Sequence, residues 1–207
     1  MRRWAVLGAA AGVGYLAGSV SFSRLIGAWR APGVDLSRSE MVVPDTGQTI
    51  TLVGTTPTSV AQHVGGGWAG LAVALEAAKA AVPAYAAGRL APGSGAAQAA
   101  AAGAVLGHVV PLWQGGRNGG YGASPMLGGM LVLDPLGLLV TNGVVMAAMG
   151  ATRDRRLVMG WPLTLPVWAL ARRDSRLVAY ALVANAIMWS RLVPELRSSL
   201  AGLVSRD

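Results

Sequence analysis

The feature that most constrains this sequence is its division into long apolar runs separated by short clusters of charged residues. A helix that crosses a bilayer needs roughly 20 mostly apolar residues, and charged groups are expelled to its ends. Only 13% of the 207 residues are charged, whereas a soluble domain usually carries about 25%. The pattern therefore predicts an integral membrane protein whose chain crosses the bilayer several times.

The apolar runs predict an all-α integral membrane protein, a compact bundle of about seven transmembrane helices, some of them short, in a single polytopic domain over residues 1–207. The Asp134-Pro135 pair predicts a break between two short helices, because proline interrupts helical hydrogen bonds. The predicted helices are Trp4 to Ala28, Gly67 to Ala87, Ala96 to Trp113, two within Ala123 to Met149, Leu157 to Ala171 and Leu177 to Leu192.

A longer polar loop follows the first predicted helix and runs from about Trp29 to Gln62. Its Val- and Thr-rich part, Gln48 to Val53, predicts a short strand or one arm of a hairpin.

The net charge of +8 is nearly all arginine. With the amino terminus outside and seven crossings, ten arginines lie on the inner side and six on the outer side. Cytoplasmic loops carry an excess of basic residues, so this orientation is favoured. If the Asp134-Pro135 break does not turn the chain, the carboxyl-terminal half inverts.

The composition also excludes several classes of site. The chain has no cysteine, which excludes disulfides, thiolate catalysis and cysteine-based metal sites. No basic strand pattern interleaved with aromatic residues points to nucleic acid. We therefore expect the basic charge to attract anionic membrane lipids instead.

A glycine-rich loop predicts a phosphate site. Consecutive glycines allow backbone N–H groups to point into one concavity, and arginine adds a fork of donors. The alternative is a flexible turn between helices. The residues of the predicted site are Gly115, Gly116, Arg117, Asn118, Gly119 and Gly120.

Ionisable side chains within predicted helices are further candidates. Glu76 and Lys79 lie three residues apart on one helix face, where they can pair, and such groups in a membrane span usually face the bundle interior. His108 precedes the glycine-rich loop and can act as a general base or hold the loop by hydrogen bonds. A buried pair and a structural histidine are the alternatives.

These features occur in the order of a known family. A Gly-Ser-x-x-Phe-x-x-x-Ile-Gly helix end, a Thr-rich segment, an acidic-x-x-Lys pair and Gly-His-x-x-Pro before a Gly-Gly-basic loop resemble the acyl-phosphate:glycerol-3-phosphate acyltransferases, the PlsY family. The resemblance covers roughly residues 15–197 and implies a seven-helix bundle in the bacterial inner membrane, with its active-site loops in the cytoplasm.

The resemblance also implies a reaction. A fatty acyl group moves from acyl phosphate to the 1-hydroxyl of glycerol 3-phosphate, giving lysophosphatidic acid for phospholipid synthesis. Coenzyme A, acyl carrier protein, metal ions and cofactors are not expected. Acyl phosphate has a good leaving group, so positioning can supply much of the rate.

The family motifs assign roles to positions of this chain. His108 and Ser19 are the expected catalytic residues. The expected phosphate-binding residues are the glycine-rich loop residues from Gly115 to Gly120 with Arg117, together with Lys79, Thr58 and Ser124. Glu76 and Arg197 are expected to support the site. One of Arg24, Arg30 and Arg38 is expected to help neutralise the two substrate phosphates.

The chain departs from the family motifs at several positions. Gly120 stands where the family has a second loop lysine, and neither the Gly-Ser-Gly-Asn signature nor the Arg-His-x-x-Asn-Ile pattern is recognisable. Two alternatives to the enzyme are therefore open. One is an inactive or repurposed scaffold with this fold, and the other is a small transporter in which Glu76, Lys79 and Asp134 line a polar path.

Overall fold

A computed structural model of the protein describes residues 2–42, 49–153, 157 and 160–204. That part of the chain contains nine α-helices and a small two-stranded hairpin. The helices are α1 (Arg2–Gly18), α2 (Phe22–Arg30), α3 (Pro57–His63), α4 (Gly66–Leu90), α5 (Ala96–Val109), α6 (Ala123–Leu133), α7 (Pro135–Thr152), α8 (Trp161–Ala171) and α9 (Ser175–Val204). The strands β1 (Arg38–Val42) and β2 (Thr49–Val53) pair antiparallel, and a 3-10 turn covers Leu112–Gln114.

Apolar helices dominate the structure and confirm the predicted fold class. Among the described residues, four segments are long and apolar enough to cross a membrane, by length and composition: Arg3–Arg30, Ala96–Gln114, Pro135–Thr152 and Ser175–Glu195. Of the two short helices predicted on either side of Asp134-Pro135, α6 is short with 11 residues, whereas α7 has 18 residues and is one of the long segments. Helix α8 is a further short apolar helix.

The bundle has two distinct ends. The hairpin, α3 and the glycine-rich loop (residues 114–122) lie at one end, which we call the loop end. Helices α1, α5 and α9 begin at the opposite end and run toward the loop end, while α4 and α6 run the other way. This arrangement places the predicted site residues of separate segments at the loop end.

Glycines allow α1 and α5 to pack backbone against backbone. A Cβ added at Gly14 would lie 2.0 Å from the carbonyl oxygen of Ala100, and one at Gly18 would lie 2.2 Å from that of Ala104. Gly103 and Gly107 of α5 approach α1 equally closely. Small residues permit such approach between membrane helices, where packing rather than water drives association.

Large side chains fill the space on the other side of α5. Met126 and Met130 of α6 pack with Leu165 of α8 and Tyr180 of α9, and each is at most 2% exposed. The short helices are therefore integral to the core.

The predicted break at Asp134-Pro135 is confirmed, and the Asp134 carboxylate stabilises it. Its Oδ1 accepts a hydrogen bond from the Gly137 N–H at 2.9 Å, which caps α7, and its Oδ2 accepts one from Trp168 Nε1 at 2.7 Å. Asp134 is therefore part of a helix junction that joins α6, α7 and α8.

Several predicted boundaries were wrong. The first helix is not continuous, because it ends at Gly18 and a new helix begins at Phe22, where the Ser21 hydroxyl accepts a hydrogen bond from the Arg24 N–H. The predicted polar loop contains α3, whose capping box joins Thr56 and Ser59. Such short local motifs are easily overlooked in a segment without hydrophobic periodicity.

The remaining segments agree with the predictions in type. The strand predicted for Gln48 to Val53 is confirmed over Thr49–Val53, while Gln48 lies outside the described residues. The helix predicted from Leu157 begins at Trp161, and the last helix extends to Val204. The partner strand β1 was not predicted, since its sequence is mostly polar.

The contact between α1 and α5 generates a matched test. We expect Gly14→Ala to lower the free energy of unfolding by about 1–3 kcal/mol, because its methyl group collides with the α5 backbone. Gly12→Ala serves as the control, since nothing lies within 4 Å of a Cβ at that position. Thermal unfolding in detergent measures both variants, and equal melting temperatures would contradict the packing described.

Candidate active site

The break between α1 and α2 exposes a carbonyl group that a buried lysine uses. Residues 19–21 lie between the two helices, so the Val20 carbonyl has no helical partner. Lys79 of α4 donates to it from Nζ at 2.7 Å, although the side chain of Lys79 is only 2% exposed. The lysine thus joins the middle of α4 to the break.

Glu76 provides the counter-charge one helical turn away. Its Oε2 lies 2.5 Å from Lys79 Nζ, and its Oε1 accepts hydrogen bonds from the N–H and the hydroxyl of Ser23 at 3.1 and 3.2 Å. Glu76 is fully buried. The Glu76–Lys79 pair therefore also holds the start of α2 by hydrogen bonds, because Ser23 lies in the first turn of that helix.

His108 completes this buried cluster. Its Nδ1 lies 2.9 Å from Lys79 Nζ and 3.2 Å from Glu76 Oε2. An ammonium has three donors and no acceptor. The Val20 carbonyl and His108 Nδ1 lie within hydrogen-bond distance of this ammonium, and Glu76 Oε2 supplies the opposite charge.

The glycine-rich loop lies directly over the imidazole. The Gly120 N–H donates to the His108 carbonyl at 3.1 Å, and a Cβ at position 120 would lie 2.2 Å from His108 Nε2. A side chain at this position would therefore collide with the ring in the present arrangement of the loop.

Only part of the predicted phosphate nest is available to a ligand. The N–H groups of Gly115, Gly116 and Arg117 donate to carbonyl groups of the preceding turn, and that of Gly120 is also occupied. Within the described residues, the N–H groups of Asn118 and Gly119 have no intramolecular partner. The predicted concavity is thus reduced to these two amides.

A cleft of about 190 Å³ adjoins His108 at the loop end. Thr58 of α3 and Ser124 of α6 line it together with His108, and Leu52 and Tyr121 add apolar surface. We call this the hydroxyl cleft. Three predicted site residues from separate segments therefore meet in one cavity.

An ion pair of α9, which the sequence analysis missed, holds two walls of the hydroxyl cleft together. Arg191 donates from Nη2 to the Val53 carbonyl at 3.1 Å, and Glu195 accepts the Val53 N–H at 3.2 Å. The Tyr121 hydroxyl donates to Glu195, and burial with the neighbouring carboxylate raises the pKa of that phenol. The i, i+4 spacing of Arg191 and Glu195 was the available signal.

Other predicted site residues lie outside the hydroxyl cleft. Ser19 is buried. Its hydroxyl donates a hydrogen bond to the Tyr15 carbonyl at 2.8 Å and accepts one from the Leu112 N–H at 3.1 Å, so this hydroxyl joins α1 to the segment after α5. Arg117 is an exposed residue of the loop, and Arg197 is exposed on α9. The structure does not bring these side chains together with His108.

The three additional candidate arginines are in different surroundings. The Arg30 guanidinium stacks on Trp29 and Trp68, with 5.3 and 4.7 Å to the ring centroids. Arg38 lines a separate surface depression, whereas Arg24 shares a polar cleft of about 480 Å³ with Asn118. Arg24 is therefore the one of the three that shares a cleft with a residue of the loop.

No group of three or more histidine, aspartate and glutamate side chains that could hold a metal ion occurs among the described residues. The acidic and histidine side chains of the buried cluster are instead held by Lys79 and Ser23.

The chain is similar to known proteins in sequence and in fold. Residues 8–202 match a family model described as glycerol-3-phosphate acyltransferase. A glycerol-3-phosphate acyltransferase of Methylorubrum populi is 32% identical over 141 residues, which cover 68% of each chain. One from Methylorubrum extorquens is 28% identical and covers 98% of this chain and 94% of its own.

A solved structure has the same fold. The crystal structure of PlsY, an integral membrane glycerol 3-phosphate acyltransferase in its glycerol 3-phosphate form, matches with a TM-score of 0.75 at 21% identity. The match covers 98% of this chain and 94% of that one.

The buried cluster predicts a strong coupling between two substitutions. Lys79→Met leaves the Glu76 carboxylate without its cation, so we expect the free energy of unfolding to fall by about 3–5 kcal/mol. Adding Glu76→Gln removes that unpaired charge, and the double variant should lose less than the sum of the single variants. Unfolding in detergent measures this cycle, and additive losses would show that the two side chains are not coupled.

Proposed function

The chain belongs to the glycerol-3-phosphate acyltransferase family, and from that premise we propose that it transfers a fatty acyl group from acyl phosphate to the 1-hydroxyl of glycerol 3-phosphate. The product of this reaction is lysophosphatidic acid, an intermediate for phospholipid synthesis. No cofactor is part of the proposal.

The hydroxyl cleft is the observation that supports the proposal most directly. Thr58 and Ser124 line it together with His108, while apolar residues complete its walls. A donor with a charged head and an apolar chain needs both kinds of surface. Because the cleft lies at the end of membrane helices, such a donor can approach from the lipid.

The phosphate of the donor is bound by neutral and charged donors. The Thr58 and Ser124 hydroxyls supply hydrogen bonds from the hydroxyl cleft, whereas the free N–H groups of Asn118 and Gly119 lie in the adjoining part of the loop, where Asn118 lines the polar cleft with Arg24. Arg117 directly precedes Asn118 and Gly119 in the loop, and its guanidinium adds the positive charge that phosphate requires. Charge that develops on the acyl carbonyl oxygen is stabilised by donors already fixed in place.

His108 and Lys79 have different parts in this scheme. His108 lines the hydroxyl cleft, and its carbonyl accepts the Gly120 N–H, so it orients the glycine-rich loop and can relay a proton in the cleft. Lys79 is held within the buried cluster by the Val20 carbonyl, Glu76 and His108. We therefore treat Lys79, Glu76 and Ser19 as positioning residues, in place of the phosphate-binding and catalytic roles expected for Lys79 and Ser19 from the sequence.

The reaction needs no protein nucleophile. The 1-hydroxyl oxygen of glycerol 3-phosphate attacks the acyl carbonyl carbon and forms the new ester C–O bond. The C–O bond to the phosphate breaks, and that phosphate leaves with its electron pair and takes the hydroxyl proton. Holding the two substrates in this geometry replaces a bimolecular encounter, which accounts for much of the acceleration.

Acyl transfer by the purified protein tests the proposal. With palmitoyl phosphate and radiolabelled glycerol 3-phosphate, we expect lysophosphatidic acid from the wild type and a loss of about 10²-fold in kcat/KM for Arg117→Ala. Arg89→Ala is the matched control, since Arg89 lies at the other end of α4 beside Tyr85. Its rate should equal that of the wild type.

Comparing acyl donors distinguishes the proposed reaction from its alternatives. Product from palmitoyl-coenzyme A but not from palmitoyl phosphate would overturn the proposed donor while leaving an acyltransferase. No product from folded protein with either donor would favour a scaffold with this fold, and flux of substrate into proteoliposomes would favour a transporter.

We further propose that the protein lies in the bacterial inner membrane with the loop end in the cytoplasm. The sequence count of ten arginines in the predicted inner segments against six in the outer ones supports this orientation. Both substrates are also charged metabolites that would otherwise have to cross the membrane.

Single cysteines test the orientation, because the chain has none of its own. Trp113→Cys places a thiol at the exposed loop end, and Pro92→Cys places one in the exposed turn before α5. In intact bacterial cells, an impermeant maleimide should label only Pro92→Cys. Labelling of both variants after lysis is the control, and the reverse pattern in intact cells would invert the topology.

A further inference from the structure

A second cavity lies at the end of the bundle opposite the loop end. Helices α1 and α9 both pack against α5 and leave a groove of about 230 Å³ between them. Arg3, Arg176 and Gln98 lie where the groove opens at the helix starts, and Leu7, Ala99 and Val183 line it further along. We call this the arginine groove.

The surroundings of the arginine groove are strongly positive. Within the described part of the chain, the acidic residues at this end are Asp134 and Asp174, and both already accept N–H donors of the protein. The arginines of the segments at this end are Arg2, Arg3, Arg89, Arg172, Arg173 and Arg176. Excess positive charge therefore surrounds a groove whose interior is apolar.

Two of the other arginines at this end contact aromatic rings outside the groove. The Arg172 guanidinium lies 6.0 Å from the Trp168 ring centroid, and that of Arg89 lies 5.8 Å from the Tyr85 centroid. Arg3 and Arg176 instead flank the groove from two helices. The Arg176 side chain lies against Gly95, at the turn into α5, which keeps its stem on the rim.

We propose that the arginine groove binds one anionic phospholipid of the surrounding membrane. The head-group phosphate lies between Arg3 and Arg176, with the Gln98 amide as a further donor, and one acyl chain follows the apolar wall toward Val183. Guanidinium groups pair with phosphate through two parallel hydrogen bonds. A free phosphate ion would leave the apolar part of the groove unused, which favours a lipid.

The proposal is independent of acyl transfer and can be tested without substrates. Binding of phosphatidylglycerol and of phosphatidylcholine to delipidated protein is measured by native mass spectrometry in detergent. We expect the wild type to retain phosphatidylglycerol preferentially. The double variant Arg3→Ala/Arg176→Ala should bind it roughly 30-fold more weakly, since each basic residue near a lipid surface contributes about fivefold.

Two further variants distinguish the groove from general surface charge. Arg89→Ala/Arg172→Ala removes the same charge at the same end and should keep the affinity of the wild type. Ala99→Leu fills the apolar part without changing charge and should weaken phosphatidylglycerol binding while leaving the melting temperature of lipid-free protein unchanged.

Three results would overturn the proposal. They are equal loss of affinity in the two double-arginine variants, equal retention of phosphatidylcholine and phosphatidylglycerol by the wild type, and stabilisation by inorganic phosphate as large as that by phosphatidylglycerol. The last result would make the arginines a simple anion site.

Discussion

The arrangement of the loop end depends on one buried ammonium group. Lys79 joins α4 to the break after α1 through the Val20 carbonyl, to its own turn through Glu76, and to α5 through His108. A buried charge is costly unless it is paired and hydrogen-bonded, and Lys79 has the Glu76 carboxylate as counter-charge and the Val20 carbonyl as acceptor. The break in the first helix makes this contact possible, because in a continuous helix the Val20 carbonyl would accept a hydrogen bond from the next helical turn.

The glycine-rich loop takes its position from the same cluster. His108 is fixed by Lys79 on one side of its ring, and Gly120 lies against the other side without room for a side chain. The loop also meets the strand end, where the Thr55 N–H donates to the Asn118 carbonyl at 3.3 Å. With Arg191 and Glu195 holding Val53 from α9, the hydroxyl cleft is bounded by segments from across the chain.

The two ends of the bundle have different chemistry. The loop end combines hydroxyl groups, free amides and a buried ion pair. The opposite end has arginines around an apolar groove, as contact with an anionic lipid requires. The arginine groove depends on close contact of α1 with α5, which glycines permit by bringing the two backbones together.

The sequence by itself determined the membrane class, the apolar helices, the break at Asp134 and the pairing of Glu76 with Lys79, because hydrophobic run length, proline and helical spacing are local properties. It did not reveal the break at Ser19, helix α3 or the Arg191–Glu195 contact with Val53. Only the tertiary structure decided which loop amides remain free and that Ser19 is used in packing. The free amides and the hydrogen bonds of Ser19 depend on which backbone groups meet between segments distant in the sequence, and local sequence patterns do not predict such long-range contacts.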